Sequence, residues 1–224
     1  MMPANGKSAT HRLLVINPNT NPEVTRRISL HVLGDLPAGT SADVVNPDTG
    51  PQSIETAADR DFAIPAVLEL IRQNGECDGY ILACFDDIAV EEVRRMVNVP
   101  VISIAQAAIE DAAATGERYT VVTTVDKQVP TIEVLLKKYG AGGLGSVRAC
   151  NVGVADASAR TARAESLLDL QIMSAIEEDG AGIVVLGSGA YAGRANDLSA
   201  KYGVRFIEGL TDAVRRLSPA RSLG

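Results

Sequence analysis

The 224-residue sequence predicts an α/β fold made of two similar lobes, each with a parallel sheet, and a cleft between them. Two observations favour this fold class. Short apolar runs without polar alternation recur along the chain, separated by segments of helical periodicity, which is typical of parallel strands covered by helices. The second half of the chain also repeats the spacing of strand ends found in the first half, as two related lobes would.

Five apolar runs predict the strands, and each ends in polar or small residues. They are RLLVINPNT (12–20), DGYILACFDD (78–87), VPVISIA (99–105), RYTVVTT (118–124) and GIVVLGSG (182–189). Helical periodicity predicts helices over 22–34, 59–74, 106–115, 129–139 and 164–179, and glycines stand where several of them should end. Strands and helices therefore alternate, as an α/β fold requires.

The internal repeat concerns the polar turns that follow the strands. In the first half, one strand ends near Asn17 and a later one ends at Cys84. In the second half, one strand ends near Thr124 and a later one ends at Ser188, at a similar separation. Since ligands of open parallel sheets bind at the carboxyl ends of strands, we expect these turns to face one cleft.

The composition excludes several classes of protein. The net charge of −7 and the lack of clustered basic residues argue against a nucleic-acid partner. The first residues lack the apolar stretch of a secretory signal, and no apolar run approaches the roughly 20 residues of a membrane helix. Three cysteines without a CxxC pattern fit a reducing compartment and offer no recognisable zinc site. We expect a cytoplasmic protein without a membrane partner.

The glycine-rich turn around Ser188 has three interpretations. GSGAYA (187–192) fits the GxGxxA pattern of dinucleotide sites, but too few residues follow Glu208 to complete a dinucleotide-binding unit. A serine hydrolase would need glycine in place of Leu186 and a histidine downstream, and neither is present. The third interpretation pairs Ser188 with Cys84, a thiol that stands where a strand meets a turn.

Several motifs together resemble a known family. LLVINPNT, GPQSIET (50–56), DGYILACFDD, VPVISIAQAAIEDAAATGERYTVVTT (99–124) and VRFIEGLTDAV (204–214) follow one another as in the aspartate/glutamate/hydantoin racemase superfamily. GPQSIET is similar to a segment of its hydantoin and allantoin racemase branch. The resemblance spans about residues 12–217. It implies two Rossmann-like lobes related by a pseudo-twofold axis, a small-molecule substrate, and neither a metal nor an organic cofactor.

The domain boundaries follow from this resemblance and from the internal repeat. Lobe 1 is predicted to comprise residues 12–104 and 204–217 and to carry Cys84. Lobe 2 is predicted to comprise residues 105–203 and to carry Ser188. Residues 1–11 and 218–224 are expected to be flexible termini, and a homo-oligomer is expected because lobed enzymes of this kind commonly pair through exposed helices.

The resemblance assigns the first catalytic thiol to Cys84 and places Ser188 where the family has its second cysteine. Backbone N–H groups at the following helix start are expected to tune the thiol pKa toward neutrality, so that the thiolate removes a proton beside a carbonyl. The predicted substrate-binding residues surround these two positions: Asn17, Ser53, Ile54, Phe85, Thr123, Thr124, Gly187, Gly189 and Tyr191.

Most of these residues have an expected role in binding a hydantoin-like cyclic ureide. Backbone N–H groups at 187–189 and 123–124 would stabilise the oxygen of an enolate-like intermediate. Asn17 and Ser53 would bind the amide-like edges of the ring, unless they serve only their own turns. Phe85 and Tyr191 would wall the pocket. The lack of a charged residue near these turns favours a neutral ring over a dicarboxylic amino acid.

Serine at position 188 leaves three hypotheses open. The sequence carries an engineered Ser-for-Cys replacement that traps substrate, or the natural enzyme racemises slowly or through another second base. Alternatively, the protein performs one-sided chemistry at Cys84, as an isomerase or a decarboxylase. A ligand-binding protein that has kept the cleft and lost the chemistry is the alternative from another class.

Overall fold

The computed structural model describes residues 11–34 and 36–219, and within them strands and helices alternate. The strands are β1 (His11–Ile16), β2 (Thr40–Val45), β3 (Gly79–Leu82), β4 (Val101–Ser103), β5 (Tyr119–Thr123), β6 (Gly145–Ala149), β7 (Ile183–Leu186) and β8 (Arg205–Ile207). The α-helices are α1 (Pro22–Gly34), α2 (Ala57–Gln73), α3 (Val90–Met96), α4 (Ile104–Ala114), α5 (Val129–Tyr139), α6 (Val154–Ala159), α7 (Ala162–Glu177), α8 (Ala195–Tyr202) and α9 (Leu210–Leu217).

The strands form two four-stranded sheets with the same internal order. The first sheet is β2-β1-β3-β4, the second is β6-β5-β7-β8, and the neighbouring strands pair in parallel. Strand β5 of the second sheet therefore corresponds to β1 of the first, and β7 corresponds to β3. The predicted α/β fold with two similar lobes is confirmed.

Burial explains which strands the sequence revealed. Every residue of β3, β5 and β7 is buried, so these central strands are continuous apolar runs. In contrast, β2 and β6 lie at the sheet edges and are mostly half-buried, with Asp43 exposed in β2. They do not appear in the sequence as continuous apolar runs, because an edge strand faces solvent on one side and carries polar residues.

The core shows how the two sheets are held together. Along β1, Leu13 and Val15 belong to one large apolar cluster that continues into the second sheet, whereas Leu14 and Ile16 pack on the other face of the first sheet. This alternation follows from the period of two along a strand. Helix α4 packs against α9, α5 and β7, so the lobes share one core.

The assignment of residues 204–217 to lobe 1 is corrected in part. Strand β8 pairs with β7, with Phe206 opposite Val184, so it completes the second sheet. The free edge of β7 supplies the hydrogen-bonding partner that a short apolar strand needs. Helix α9, by contrast, packs against α1, α4 and β3. Its end meets the first lobe, since the Leu217 carbonyl lies 2.5 Å from His11 Nε2.

The predicted flexible termini fall almost entirely outside the described residues, which begin at His11, the first residue of β1. Among the helices of the described part of the chain, none is long and apolar enough to cross a membrane.

Candidate active site between the two sheets

Cys84 and Ser188 occupy turns at the carboxyl ends of β3 and β7. Each is half-buried and lies two residues beyond its strand. Both line one small cavity, called the cleft cavity below. Its volume is about 20 Å³, which is space for a single water molecule. Its lining residues are Asn19, Val24, Ile54, Ala83, Cys84, Phe85, Gln128, Val154, Gly187, Ser188, Gly189 and Ala190.

The two turns touch through their backbones. A Cβ atom at Gly189 would lie 3.1 Å from the carbonyl oxygen of Ala83, the residue that precedes Cys84. Ser188 caps the 3-10 turn that follows β7, because its hydroxyl oxygen accepts the Ala190 N–H at 3.2 Å. The Ser188 hydroxyl proton is not used in this cap, so the group can still donate.

Burial dominates the electrostatics of Cys84. Loss of solvent raises the pKa of the Cys84 thiol, and the nearby Asp86 carboxylate raises it further. The positive charge of Arg60 and the backbone N–H of Phe85 oppose this shift without cancelling it. The expected tuning toward neutrality is therefore wrong for this closed arrangement: the Phe85 N–H acts in the expected direction, but burial outweighs it.

Beside the thiol, the buried Asp86 forms an ion pair with the half-buried Arg60. Asp86 is 5% exposed, and Arg60 Nη1 donates to both the carboxylate and the carbonyl oxygen of Asp86. Burial raises the pKa of Asp86 to about 6, although Arg60 lowers it. The charge next to Cys84 therefore changes within a pH range in which enzymes work.

Asp87 connects the Cys84 turn to helix α5. Its carboxylate accepts from Tyr139 Oη at 2.5 Å and from Lys138 Nζ at 3.2 Å, and it also accepts the Ser103 hydroxyl. Its backbone has a left-handed φ of 53°, as does Ala89 with 60°. Helix α3 begins at Val90, without a side-chain cap.

Four predicted residues line the cleft cavity together with the two catalytic candidates: Ile54, Phe85, Gly187 and Gly189. Gly187 cannot donate to an oxyanion as expected, because its N–H already donates to the Val122 carbonyl at 2.8 Å. Ile54 and Phe85 are each 3% exposed and present apolar surface to the cavity.

Other predicted residues lie behind the cavity wall rather than in it. Thr123 and Thr124 are fully buried, and their hydroxyls donate to Gln128 Oε1 at 3.0 and 3.5 Å. Asn17 is fully buried too, and its Nδ2 donates to Asn19 Oδ1 at 3.0 Å. The two threonines thus position Gln128, and Asn17 positions Asn19; Gln128 and Asn19 are polar side chains that line the cavity.

Ser53 and Tyr191 are also not part of the lining. Ser53 donates to the Glu55 carboxylate at 3.0 Å within its own turn. Tyr191 is 1% exposed, and its hydroxyl lies 3.5 Å from Cys150 Sγ, where burial raises the tyrosine pKa. The positions of Ser53 and Tyr191 give them no direct contact with a molecule in the cleft cavity.

Asn19, Gln128 and Arg60 were not predicted as site residues from the sequence. Asn19 lies inside the NPNT turn that was singled out for Asn17, so the motif contained the signal. No local pattern in the sequence marks Gln128 or Arg60, because each forms its hydrogen bond with a residue that is distant in the chain. Gln128 donates to Ile54, and Arg60 donates to Asp86. Among the residues that the structure describes, no group of three or more His, Cys, Asp or Glu is arranged to hold a metal ion.

A family model described as Asp/Glu/hydantoin racemase matches residues 13–217, which includes both turns and both sheets. The chain belongs to the Asp/Glu/hydantoin racemase family. This membership confirms the expected resemblance and explains why the two lobes repeat one sheet order.

Within this racemase family, relatives of two kinds are similar to the chain. A hydantoin racemase of Rhizobium meliloti is 38% identical over 205 residues, which cover 90% of this chain and 85% of that protein. An allantoin racemase structure from Klebsiella pneumoniae superposes with a TM-score of 0.86 at 32% identity, covering 93% of this chain and 86% of that one. An allantoin racemase structure from Pseudomonas fluorescens gives 0.85 at 32% identity, covering 92% and 88%. The protein is an isomerase of the racemase class.

Proposed function

We propose that this racemase inverts a hydantoin-like cyclic ureide, a 5-substituted hydantoin or allantoin, by removing and returning a proton at the carbon next to a carbonyl. No cofactor takes part in the proposed reaction. Cys84 acts from one side of the ring, and Ser188 occupies the opposing acid/base position.

The observation that carries this proposal is the placement of one thiol and one hydroxyl on equivalent turns that bound a single, uncharged cavity. Among the described residues that line the cleft cavity, none has a charged side chain. A dicarboxylic amino acid would leave its carboxylates without a cationic partner there, whereas a neutral ring would not. The similar hydantoin and allantoin racemases support a substrate of this class.

The proposed chemistry begins at Cys84. Its thiolate takes the proton from the ring carbon, and the electron pair of the broken C–H bond moves into the adjacent carbonyl to give an enolate. The Ser188 hydroxyl then delivers its proton to the opposite face of that carbon. The resulting alkoxide recovers a proton from water, and the hydroxide so formed takes the proton from the Cys84 thiol to restore the thiolate. Reprotonation by the Cys84 thiol instead would return the starting enantiomer.

Two features favour a slow turnover. Burial raises the pKa of Cys84, so the thiol form dominates at neutral pH in the closed arrangement. An alcohol is also a much weaker acid than a thiol, and no histidine lines the described part of the cavity to assist Ser188. Since the closed cavity holds only about 20 Å³, the lobes must also open to admit a ring.

The second candidate function is one-sided chemistry at Cys84, either an isomerisation or a decarboxylation. The observation that favours it is the hydroxyl at position 188: the site has one thiol, Cys84, and its second proton donor, Ser188, is a weak acid. In this candidate the Ser188 hydroxyl orients the substrate or a water molecule, and the only proton transferred is at Cys84.

The deciding experiment follows single enantiomers of 5-substituted hydantoins and of allantoin in deuterated water. Circular dichroism measures the loss of optical activity, and NMR measures deuterium at the stereocentre. Loss of optical activity with deuterium incorporation is the expected result. Incorporation that exceeds the loss of optical activity would indicate one working face at Cys84. No exchange beyond the rate of a Cys84→Ala variant, for any ureide, would refute the proposed function.

We also propose that the protein is a cytoplasmic homo-oligomer. All three cysteines are free, which suits a reducing compartment. Leu30 and Leu33 on α1, and Leu170 and Met173 on α7, are exposed one helical turn apart, and such pairs suit helix-mediated contacts. Light scattering on the purified protein measures the oligomeric state, and a monomer at micromolar concentration would contradict this part of the proposal.

A further inference from the structure

The segment 50–56 reaches from lobe 1 over the cleft cavity and is fixed at both of its ends. At its start, the Pro51 carbonyl accepts the backbone N–H of Thr20 at 2.9 Å. At its end, Thr56 and Asp59 form a reciprocal capping box on helix α2. Between these anchors, the hydrogen bond that joins the segment to lobe 2 in the described structure runs from Gln128 Nε2 to the Ile54 carbonyl, at 2.8 Å.

The orientation of the Gln128 carboxamide is set by its partners. The Ile54 carbonyl can only accept, so the NH₂ group of Gln128 must face it. The amide oxygen then faces the Thr124 hydroxyl at 3.5 Å and the Thr123 hydroxyl at 3.0 Å, whose proton is shared with the Gly187 carbonyl at 3.1 Å. These threonines follow β5 at the heart of lobe 2 and are fully buried, so Gln128 is held from a rigid base.

Ile54 transmits this contact to the thiol. Its side chain forms a small buried cluster with Ala63 and Ile88, and Cys84 packs against that cluster. The Gln128–Ile54 hydrogen bond, called the interlobe bridge below, therefore connects the end of β5 to the environment of Cys84. Its two residues are 74 positions apart and both line the cleft cavity.

We propose that Gln128 is a positioning residue for the racemisation: the interlobe bridge opens to admit substrate and reforms to close the segment 50–56 over it and to seat Ile54 against Cys84. This inference rests on the proposed function, since it assigns the closing step of that same site. Gln128 need not touch the reacting carbon. Its effect passes through Ile54.

A Gln128→Glu variant tests the bridge by pH. An ionised glutamate places an acceptor against the Ile54 carbonyl and breaks the bridge, whereas a protonated glutamate has one donor and one acceptor and restores it. The charged groups of the two segments that meet here are Glu55 and Asp59 on one side and Asp126 and Lys127 on the other. The Asp86–Arg60 ion pair lies beside Cys84 and is charged as well. The unmodified enzyme, measured at every pH, corrects for titrations that both proteins share, and the uncharged Gln128→Met variant separates loss of the bridge from the added glutamate charge.

The expected result is a ratio of kcat/KM, variant to unmodified enzyme, of about one tenth at pH 7.5, rising toward one as the pH falls to about 5. Gln128→Met, which has no donor, should stay about tenfold low at every pH. Gln73→Glu makes the same change on an exposed part of α2 and should match the unmodified enzyme throughout. A Gln128→Glu ratio that does not change with pH would overturn the proposal.

Alkylation of Cys84 by iodoacetamide, measured on its peptide by mass spectrometry, separates the bridge from the proposed reaction. A closed bridge shields the thiol, so Gln128→Met should react about tenfold faster, and Gln128→Glu should lose its excess reactivity on acidification. This pattern without racemisation of any ureide would refute the proposed function and retain the bridge. Racemisation with alkylation rates that do not depend on residue 128 would retain the function and overturn the bridge.

Discussion

Cys84 and Ser188 are structural equivalents: each is the second residue after the last residue of its strand, Leu82 in β3 and Leu186 in β7, in sheets of the same strand order. Such a pair can approach one ring from two sides, which is what inversion at a carbon requires. The two side chains differ in acidity, however, so the site is symmetric in backbone and asymmetric in chemistry.

Replacing Ser188 by cysteine should increase racemisation. A thiol is a far stronger acid than an alcohol, and a positioned general acid contributes about 10²–10⁴-fold, so we expect kcat/KM to rise about 10²-fold. The measurement is the loss of optical activity of one enantiomer with deuterium incorporation at its stereocentre. Ser166→Cys, on the exposed side of α7, is the matched control and should change nothing. An unchanged or lower rate in Ser188→Cys would show that residue 188 does not transfer the second proton.

Replacing Asp86 by asparagine should remove a pH-dependent part of the stability. The pKa of Asp86 is about 6 in the folded chain and about 3.9 when unfolded, so the folded state binds more protons between about pH 4 and 6. The free energy of unfolding of the unmodified protein therefore falls as the pH rises through this window, by about 3 kcal/mol. Asparagine, which does not titrate, lacks this loss.

Urea unfolding at pH 4, 5, 6 and 7 measures the difference between Asp86→Asn and the unmodified protein. The free energy of unfolding of the variant, relative to that of the unmodified protein, should rise by about 3 kcal/mol from pH 4 to pH 7. Because the Asp86 charge also raises the pKa of Cys84, the variant thiol should alkylate faster at pH 7. Asp48→Asn, at an exposed position, is the control. A difference that is the same at all four pH values would contradict the assignment.

Tyr191→Phe and Phe85→Leu distinguish residues behind the cavity from residues that line it. The Tyr191 hydroxyl contacts Cys150 and does not line the cavity, so its loss should cost about 1 kcal/mol of stability and leave KM unchanged. Phe85 lines the cavity, so Phe85→Leu should raise KM for a ureide severalfold. Steady-state kinetics and thermal unfolding of both variants provide the test. A raised KM in Tyr191→Phe would restore the original prediction that this residue binds substrate.

The sequence predicted well what depends on local pattern and poorly what depends on contacts across the cleft. The strands β3, β5 and β7 and the helices α1 and α5 were evident, because full burial or amphipathic periodicity is a local property. The turn position of Cys84 and its equivalence to Ser188 followed from the repeat in the chain. These features were enough to place both catalytic candidates at one cavity.

The rest depended on tertiary packing. Gln128 lies in the polar stretch VDKQVP, which resembles an ordinary connection, and its partner Ile54 is 74 residues away. The pKa of Cys84 was misjudged because the sequence indicates an N–H at a turn but neither the burial of the thiol nor the nearby Asp86 charge, which together raise its pKa. Strand β8 was assigned to the wrong sheet because a strand of three residues carries no information about its neighbour.

Gly189→Ala tests the contact between the two catalytic turns. The backbone of Gly189 is not left-handed, so alanine can adopt it without backbone strain. The added Cβ atom, however, would lie 3.1 Å from the Ala83 carbonyl oxygen. The two turns must then separate by a few tenths of an ångström, at a cost of about 1–3 kcal/mol. A protein of ordinary stability remains folded at that cost. We therefore expect kcat/KM to fall about tenfold or more while the chain stays folded, because catalysis depends on closer tolerances than folding does.

The control for this variant is Gly34→Ala at the end of α1, where nothing lies within 4 Å of an added Cβ. It should leave kcat/KM unchanged. Circular dichroism at the assay temperature verifies that both variants are folded, and kinetics with each enantiomer measures the loss. Because two enantiomers have equal free energies in solution, kcat/KM must fall by the same factor in both directions, and agreement between the two directions verifies the measurement. Full activity in Gly189→Ala would mean that the close contact of the two turns is not required for proton transfer between Cys84, the ring and Ser188.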